Sequence, residues 1–204
     1  LISFHMAKAT WLKVTPASGS GNGSIAFSAD AYTGRTARTT TATVSATGVD
    51  PKTVKVTQAA KAEFVTIQDA ASAPKAGGTV EITGSSNSTK LTFTLGTGEL
   101  AITLPEKYTA NGSEATNDVA ISGDPGESAQ YEFSISITVP VNATVGPLTR
   151  EVIVTDAGSH TATCLLTQAA GDPTLSLSTD TVNLTPAGTA VSVEVTSNTS
   201  WTVS

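Results

Sequence analysis

One stretch in the second half of the chain decides the fold class: Phe133-Ser134-Ile135-Ser136-Ile137-Thr138-Val139. Apolar and polar residues alternate along it, which is the pattern of a β-strand with one buried face. Other short stretches alternate in the same way, and turn sequences such as Asp124-Pro125-Gly126 separate them. Many short strands at this spacing predict an all-β fold of tandem immunoglobulin-like antiparallel β-sandwiches.

The composition agrees with this prediction. The 204 residues include 36 Thr and 22 Ser, and 39% of the chain is hydrophobic. Threonine and valine favour strands because of their branched β-carbons, whereas good helix formers other than alanine are scarce. The apolar content suffices for a packed core, so we expect a folded protein rather than a disordered one.

Charge and residue counts exclude several functions. Seventeen acidic and 11 basic residues give a net charge of −6, which disfavours nucleic-acid binding. Two His and one Cys are too few for a structural zinc site, and one Cys excludes an intrachain disulfide. His5 and His160 lie far apart, and no Walker loop, dinucleotide fingerprint or Gly-x-Ser-x-Gly elbow occurs. We therefore expect no enzyme, no cofactor and no metal.

The chain contains an internal repeat. Thr57–Ala60 (Thr-Gln-Ala-Ala) recurs as Thr167–Ala170, and Asn87 recurs as Asn198 at almost the same separation. The loops before the Thr-rich strands also match when Arg38 is aligned with Arg150. We expect these two arginines to be equivalent, and a role in tying loop carbonyls or a carboxylate is favoured over ligand binding.

The repeat predicts three units. The first unit, residues 1–60, lacks its first strand. The second unit, residues 61–171, is a complete sandwich with an insertion near residues 94–128. The third unit, residues 172–204, is the N-terminal part of a further sandwich. The chain thus holds one whole module between two incomplete ones.

The insertion contains the best candidate ligand site. We expect an extra hairpin there, with Leu100–Leu104 as one strand. A tyrosine, carboxylates and amides are the groups that bind a sugar or a calcium ion, although a solvated loop is the alternative. The candidate ligand-binding residues of the insertion are Tyr108, Asn111, Glu114, Asn117 and Asp118.

Trp11 is a further candidate for ligand binding. An exposed indole stacks on a sugar ring, whereas a buried one packs into the sandwich. Trp11 and Trp201 follow similar alternating stretches, and this recurrence favours packing. Cys164 has apolar neighbours in the sequence, so we expect a buried, inert thiol.

These features resemble the BACON family (Bacteroidetes-associated carbohydrate-binding often N-terminal). The resemblance rests on a Trp, a Gly-rich turn, an Asn or Asp followed by an Arg, and a closing Val-x-Val-Thr-Gln. The matching residues of the first unit are Trp11, Gly19, Gly21, Asp30, Arg38, Val54, Val56, Thr57 and Gln58. In the second unit they are Asn142, Arg150, Leu166, Thr167 and Gln168, and in the third Asn198 and Trp201. The second unit departs from the pattern, since Lys90 stands where the others have Trp.

The resemblance implies an immunoglobulin-like sandwich in secreted or surface proteins of Bacteroidetes. It implies a non-enzymatic spacer or adhesion protein, with an extracellular, cell-surface or periplasmic location. The alternative is a carbohydrate-binding module that recognises a glycan or mucin. Expected partners are a glycan or a host surface protein. Independently of the resemblance, the third unit contains the strand that the first unit lacks, so a strand-swapped homo-oligomer is one expectation; the alternative is that flanking residues of a longer natural protein supply that strand.

Overall fold

The computed structural model describes residues 8–204, and this part of the chain is all-β, as predicted. Residues 1–7, including His5, lie outside the described range. Residues 8–204 contain no α-helix, and their one helical turn is the 3-10 segment Pro125–Glu127. No helix in this range has the length and apolar character required to cross a bilayer.

Two antiparallel strand pairs form the described part of the first unit. β1 (Lys13–Thr15) pairs with β2 (Ala26–Ser28), and β3 (Arg38–Val44) pairs with β4 (Lys52–Gln58). Hydroxyl groups line the β3–β4 pair, as expected for a Thr-rich strand pair. β3 carries Arg38, whereas Trp11 lies just before β1 and Tyr32 lies in the connection from β2 to β3.

The second unit contains nine strands in two sheets. The strands are β5 (Val65–Ile67), β6 (Ala70–Ala73), β7 (Gly78–Ser86), β8 (Leu91–Gly98), β9 (Lys107–Ala110), β10 (Ser113–Thr116), β11 (Tyr131–Val139), β12 (Leu148–Asp156) and β13 (Thr161–Gln168). One sheet has the order β10-β9-β11-β7-β5, and the other has the order β6-β13-β12-β8. All neighbours are antiparallel except β6 and β13, which are parallel. The predicted antiparallel sandwich is therefore confirmed, with one parallel pair at its edge.

The core lies between these two sheets. The alternation predicted in β11 is present, since Ile135 and Ile137 are 1% and 0% exposed while Ser136 faces solvent. Phe93 stacks edge-to-face against Phe133, with the ring centroids 5.7 Å apart. Cys164 is fully buried, and this burial raises the pKa of its thiol, as expected for an inert cysteine.

The insertion does contain a hairpin, but the strand expected at Leu100–Leu104 is absent. The hairpin consists of β9 and β10 instead. Residues 100–104 connect β8 in one sheet to β9 in the other. Because they cross from one sheet to the other, they pair with no described strand on either side. The buried Leu100 is held by its amide, which donates to the Thr149 carbonyl at 2.9 Å.

The third unit consists of a short antiparallel pair, β14 (Leu175–Leu177) and β15 (Val195–Ser197). All three residues of β14 are exposed. Within residues 8–204, no sheet therefore covers the leucine side chains of β14.

Candidate functional site

The β9–β10 hairpin positions the candidate residues of the insertion. Its turn is Asn111-Gly112, and both residues have positive φ, 51° and 74°. Asn-Gly at these two positions favours a type I′ turn, which matches the twist of two antiparallel strands. Asn111 is therefore a turn residue, and its amide donates to the Glu132 carbonyl of β11 at 2.9 Å.

Tyr108 points into the core and away from the other candidates. It is 4% exposed, and its ring lies edge-to-face against Phe93 at a centroid distance of 5.1 Å. Burial raises the pKa of its phenol to about 12. This ring cannot stack on a sugar at the surface.

Asn117 and Asp118 attach the end of the insertion to β8. The Phe93 amide donates to Asn117 Oδ1 at 2.7 Å, and Asn117 Nδ2 donates to the Phe93 carbonyl at 3.2 Å. The Asp118 carboxylate accepts from Thr92 Oγ1 at 2.8 Å and lies 2.7 Å from Lys90 Nζ. Lys90, which replaces the expected Trp, therefore has a structural partner in the insertion.

The Lys90 ammonium and the Thr92 hydroxyl also determine the acidity of Asp118. Their hydrogen bonds to the carboxylate, with the Lys90 hydrogen bond the larger cause, hold the pKa of Asp118 below its ordinary value. The structure thus separates the five insertion candidates into a turn, a core ring, an anchored pair and an exposed acid, Glu114. Among residues 8–204, no group of three or more His, Cys, Asp and Glu side chains could hold a metal ion.

Glu114 lines a shallow polar depression on the outer face of the five-stranded sheet. It forms an ion pair with Lys107 at 2.9 Å. The depression has a volume of about 190 Å³. The polar side chains around it are Lys107, Thr109, Ser113, Glu114, Ser134 and Ser136. A second depression, of about 410 Å³, shares Thr109 and Ser134 with the first.

Hydroxyl groups are the commonest polar groups of the first depression, since Thr109 of β9 and Ser134 and Ser136 of β11 lie at outward positions beside Lys107 and Glu114. A row of hydroxyls with one ion pair can exchange hydrogen bonds with a polyol. It offers no exposed aromatic ring for stacking, since Tyr108 and Phe133 are both turned inward. Of the predicted ligand-binding residues, Glu114 lines this surface; Ser134, which also lines it, was not among them because it belongs to a strand outside the insertion.

Trp11 takes part in a different arrangement, in the first unit. The Arg38 guanidinium carbon lies 4.6 Å from the centroid of the Trp11 ring and 4.3 Å from that of Tyr32. Both contacts are within the range of a cation–π interaction. Trp11 is half-buried, so it packs against Arg38 while part of the indole remains accessible. Tyr32 was not among the candidates, because nothing in its sequence neighbourhood marked it.

The same arginine is fixed by Gln58 across the β3–β4 pair. Arg38 Nε and Nη2 donate to Gln58 Oε1 at 3.0 and 2.8 Å. Gln58 Nε2 in turn donates to the Asp30 carbonyl at 2.8 Å. In the second unit, Gln168 Nε2 donates to the Pro140 carbonyl at 2.6 Å. In both units the acceptor lies 28 residues before the glutamine.

The expected equivalence of Arg38 and Arg150 is wrong. Arg38 pairs opposite Gln58 in its sheet, whereas the residue opposite Gln168 is Leu148. Arg150 lies two positions further along, and it ties loop carbonyls, donating to Leu100 and Gly96 at 2.9 and 3.2 Å. The strand registers therefore align Arg38 with Leu148 rather than with Arg150.

His160, the one histidine among the described residues, serves a turn. Its ring Nδ1 lies 2.8 Å from Asp156 Oδ2, and its amide donates to Asp156 Oδ1 at 2.8 Å. Asp156 is buried at the end of β12 and also pairs its own amide with the His160 carbonyl. This carboxylate closes the β12–β13 turn.

Comparison with known proteins gives a family match in the N-terminal part of the chain. Residues 3–59 match the family BACON, which is described as "Putative binding domain, N-terminal". The resemblance inferred from the residues is thereby confirmed for this segment. This description names a binding rather than a catalytic family, which is consistent with a non-enzymatic role. No curated protein matches the chain.

Replacing Arg38 with Lys is expected to destabilise the first unit by about 1–2 kcal/mol, because lysine cannot stack its planar group or fork two bonds to Gln58. The loss of unfolding free energy would be measured by urea unfolding, with Trp11 fluorescence as the signal and Trp201 replaced by Phe. Arg150→Lys serves as the control and should leave the emission of Trp11 unchanged. Equal Trp11 emission and equal midpoints in both variants would show that the stack contributes nothing.

Acid is expected to detach the end of the insertion from β8. Since the folded state lowers the pKa of Asp118, its contribution is complete above the ordinary carboxyl value. It is lost as the pH falls below about 4, through the lowered pKa. Amide exchange of Asp118, whose N–H donates to Leu91, would report this loss. Asp118→Asn should remove the pH dependence and Asp50→Asn should not; an unchanged acid profile in Asp118→Asn would contradict the prediction.

Proposed function

We propose that this chain is a non-enzymatic spacer or adhesion protein, built from tandem immunoglobulin-like sandwich units and located at the cell surface, outside the cell or in the periplasm. One observation carries the proposal: polar side chains that could support chemistry hold the backbone in place. Asn117, Arg150 and Gln168 each bind main-chain atoms of another strand or loop. Side chains used in this way stabilise a scaffold rather than a reaction.

The charged and aromatic groups of the first unit support the same proposal. Arg38 is enclosed by Trp11, Tyr32 and Gln58, so two of its N–H donors and its π contacts are engaged within the fold. The buried Asp156 is likewise occupied by His160. The match of residues 3–59 to a family of binding domains supports a role in attachment over one in catalysis.

Carbohydrate binding is the second candidate, and the depression on the five-stranded sheet favours it. Thr109 and Ser134 present hydroxyls there, beside the Lys107–Glu114 ion pair. Such groups match the donors and acceptors of a glycan or of the sugar chains on a mucin. The shallow shape and the lack of a stacking ring favour weak binding of an extended chain.

A binding panel separates the spacer from the carbohydrate-binding module. The full chain would be titrated against immobilised polysaccharides and mucin by surface plasmon resonance. A spacer shows no saturable binding to any of them. A carbohydrate-binding module shows saturable binding that Ser134→Arg abolishes, because the longer side chain fills the depression.

Thr138→Arg is the matched control for this experiment. Thr138 lies on the same exposed face of β11, about 13 Å from Ser134 at the usual rise per residue, and it does not line the depression. Binding that survives in Thr138→Arg but not in Ser134→Arg would replace the spacer proposal with the carbohydrate one. Equal loss in both variants would indicate a nonspecific charge effect.

We also propose that the third unit of one copy packs on the first unit of another. The β14 side chains Leu175 and Leu177 are 63% and 56% exposed, and Ile25 and Val54 in the first unit are also exposed. Covering such apolar area stabilises association by roughly 25 cal/mol per Å². A strand supplied by a second copy would provide this cover through β-strand addition.

Self-association is expected to grow with protein concentration. Static light scattering across a concentration series should show a rising mass for the wild type. Leu175→Lys together with Leu177→Lys should keep the chain monomeric, whereas Val119→Lys, at an exposed position in the second unit, should not. A wild-type mass that stays monomeric at every concentration would contradict this proposal.

A further inference from the structure

The Asn87 side chain connects three separate segments of the chain. Its Nδ2 donates to the Thr33 carbonyl at 3.1 Å and to the Ala62 carbonyl at 3.2 Å. Its Oδ1 accepts from the Phe64 amide at 3.0 Å. Thr33 belongs to a loop of the first unit, residues 62–64 form the link between units, and Asn87 follows β7 of the second unit. The side chain is fully buried.

Asn198, which follows β15 of the third unit, makes the same three bonds at the junction between the second and third units. Its Nδ2 donates to the Ala143 carbonyl at 2.8 Å and to the Asp172 carbonyl at 2.9 Å. Its Oδ1 accepts from the Thr174 amide at 2.8 Å. The three partners of Asn87 and the three partners of Asn198 correspond in order: Thr33 to Ala143, Ala62 to Asp172, and Phe64 to Thr174. The number of residues between the members of each pair is the same, and it equals the separation of Gln58 and Gln168.

A backbone bond of each link repeats as well. The Lys61 amide donates to the Gly34 carbonyl at 2.9 Å, and the Gly171 amide donates to the Thr144 carbonyl at 2.7 Å. The paired positions differ in residue type, since Lys corresponds to Gly and Gly to Thr. The contact therefore depends on main-chain atoms and on one side-chain amide, not on the remaining side chains.

Close packing at both junctions limits the room for rearrangement. A Cβ on Gly34 would overlap Tyr32 and the backbone of Ser128, which belongs to the second unit. A Cβ on Gly171 would overlap the carbonyl of Asn142. Gly34 thus lets the loop of the first unit lie directly against the second unit, and Gly171 lets the second link lie directly against the loop of the preceding unit.

The first junction has further support from the insertion. The amides of Arg35 and Thr36 donate to the carbonyls of Gly126 and Glu127 at 3.0 and 2.9 Å. Arg35 also forms an ion pair with Asp124. At the second junction, Lys75 of the second unit forms an ion pair with Asp172 of the link at 2.6 Å.

We propose that Asn87 and Asn198 are the central residues of a repeated joint, by which we mean the contact between the loop of one unit, the link and the following unit. This joint holds each unit at the same angle to the preceding one. One amide satisfies two carbonyls and one N–H from the loop and the link, so rotation of one unit against the next breaks several of these bonds at once. The interaction surface is the loop end of one unit, residues 32–36 or 143–146. Its partner is the Asn-bearing end of the following unit. The chain is then a stiff array rather than a flexible string, whether or not it binds a glycan.

Distance distributions between spin labels test the joint in the full chain. Labels at Lys55→Cys and Ser136→Cys report on the first junction, and labels at Ser136→Cys and Ser192→Cys report on the second. All three positions are exposed, and Cys164 is fully buried, so the labels attach at the introduced cysteines. Double electron–electron resonance should give a narrow distribution for both pairs.

Asn87→Ala should broaden only the distribution across the first junction, and Asn198→Ala only the one across the second. In Asn87→Ala the population outside the main peak should rise about tenfold, because the bonding partners of a buried side chain are left unpaired. In Asn198→Ala the rise should be smaller, because the three bonds of Asn198 are exposed and water can replace them. Asn183→Ala, an exposed asparagine of the third unit, is the control and should change neither width.

Unchanged widths in Asn87→Ala and Asn198→Ala would overturn the proposal, as would broad distributions in the wild type. If Asn87→Ala unfolds the sandwich, circular dichroism detects the loss of structure, and Asn198→Ala, which lies outside the sandwich core, decides the question alone. The widths are measured without a glycan, so the result stands apart from the binding panel.

Discussion

The rest of this structure depends on pairing the backbone groups at the ends of strands and in the loops between them. Buried main-chain carbonyls and amides need partners, and this chain has few charged residues to supply them. Side-chain amides take that role. Gln58 and Gln168 bind carbonyls in their own units, Asn117 binds both backbone groups of Phe93, and Asn87 and Asn198 bind the links. An amide carries donors and an acceptor together, so one residue can satisfy several groups.

The alternation in β11 predicted the sandwich because a nine-residue strand with one buried face repeats its signal several times. The inward direction of Tyr108 was missed because β9 has only four residues, too few to separate an alternating strand from a polar loop. The recurrence of Asn87 and Asn198 was visible in the sequence, but their role was not. Their acceptor carbonyls lie 25 to 55 residues away, and the sequence does not bring such segments together.

The misalignment of Arg38 and Arg150 has a related cause. Matching by residue type placed Gly34 against Gly146, whereas the backbone bonds place Gly34 against Thr144. Residue identity is a poor guide at positions whose contacts are made by the main chain. The glutamines aligned correctly, because there the side chain itself makes the contact.

The joint at Asn87 and Asn198 carries an evolutionary consequence. Since the contacts common to both junctions use one asparagine and main-chain atoms, a duplicated gene segment encoding a unit would bring these contacts to its new neighbour at once. Its faces and insertions could then diverge freely, as the insertion of the second unit illustrates. Selection would act on each unit almost separately, and lengthening such a protein would require only unequal recombination between its own repeats.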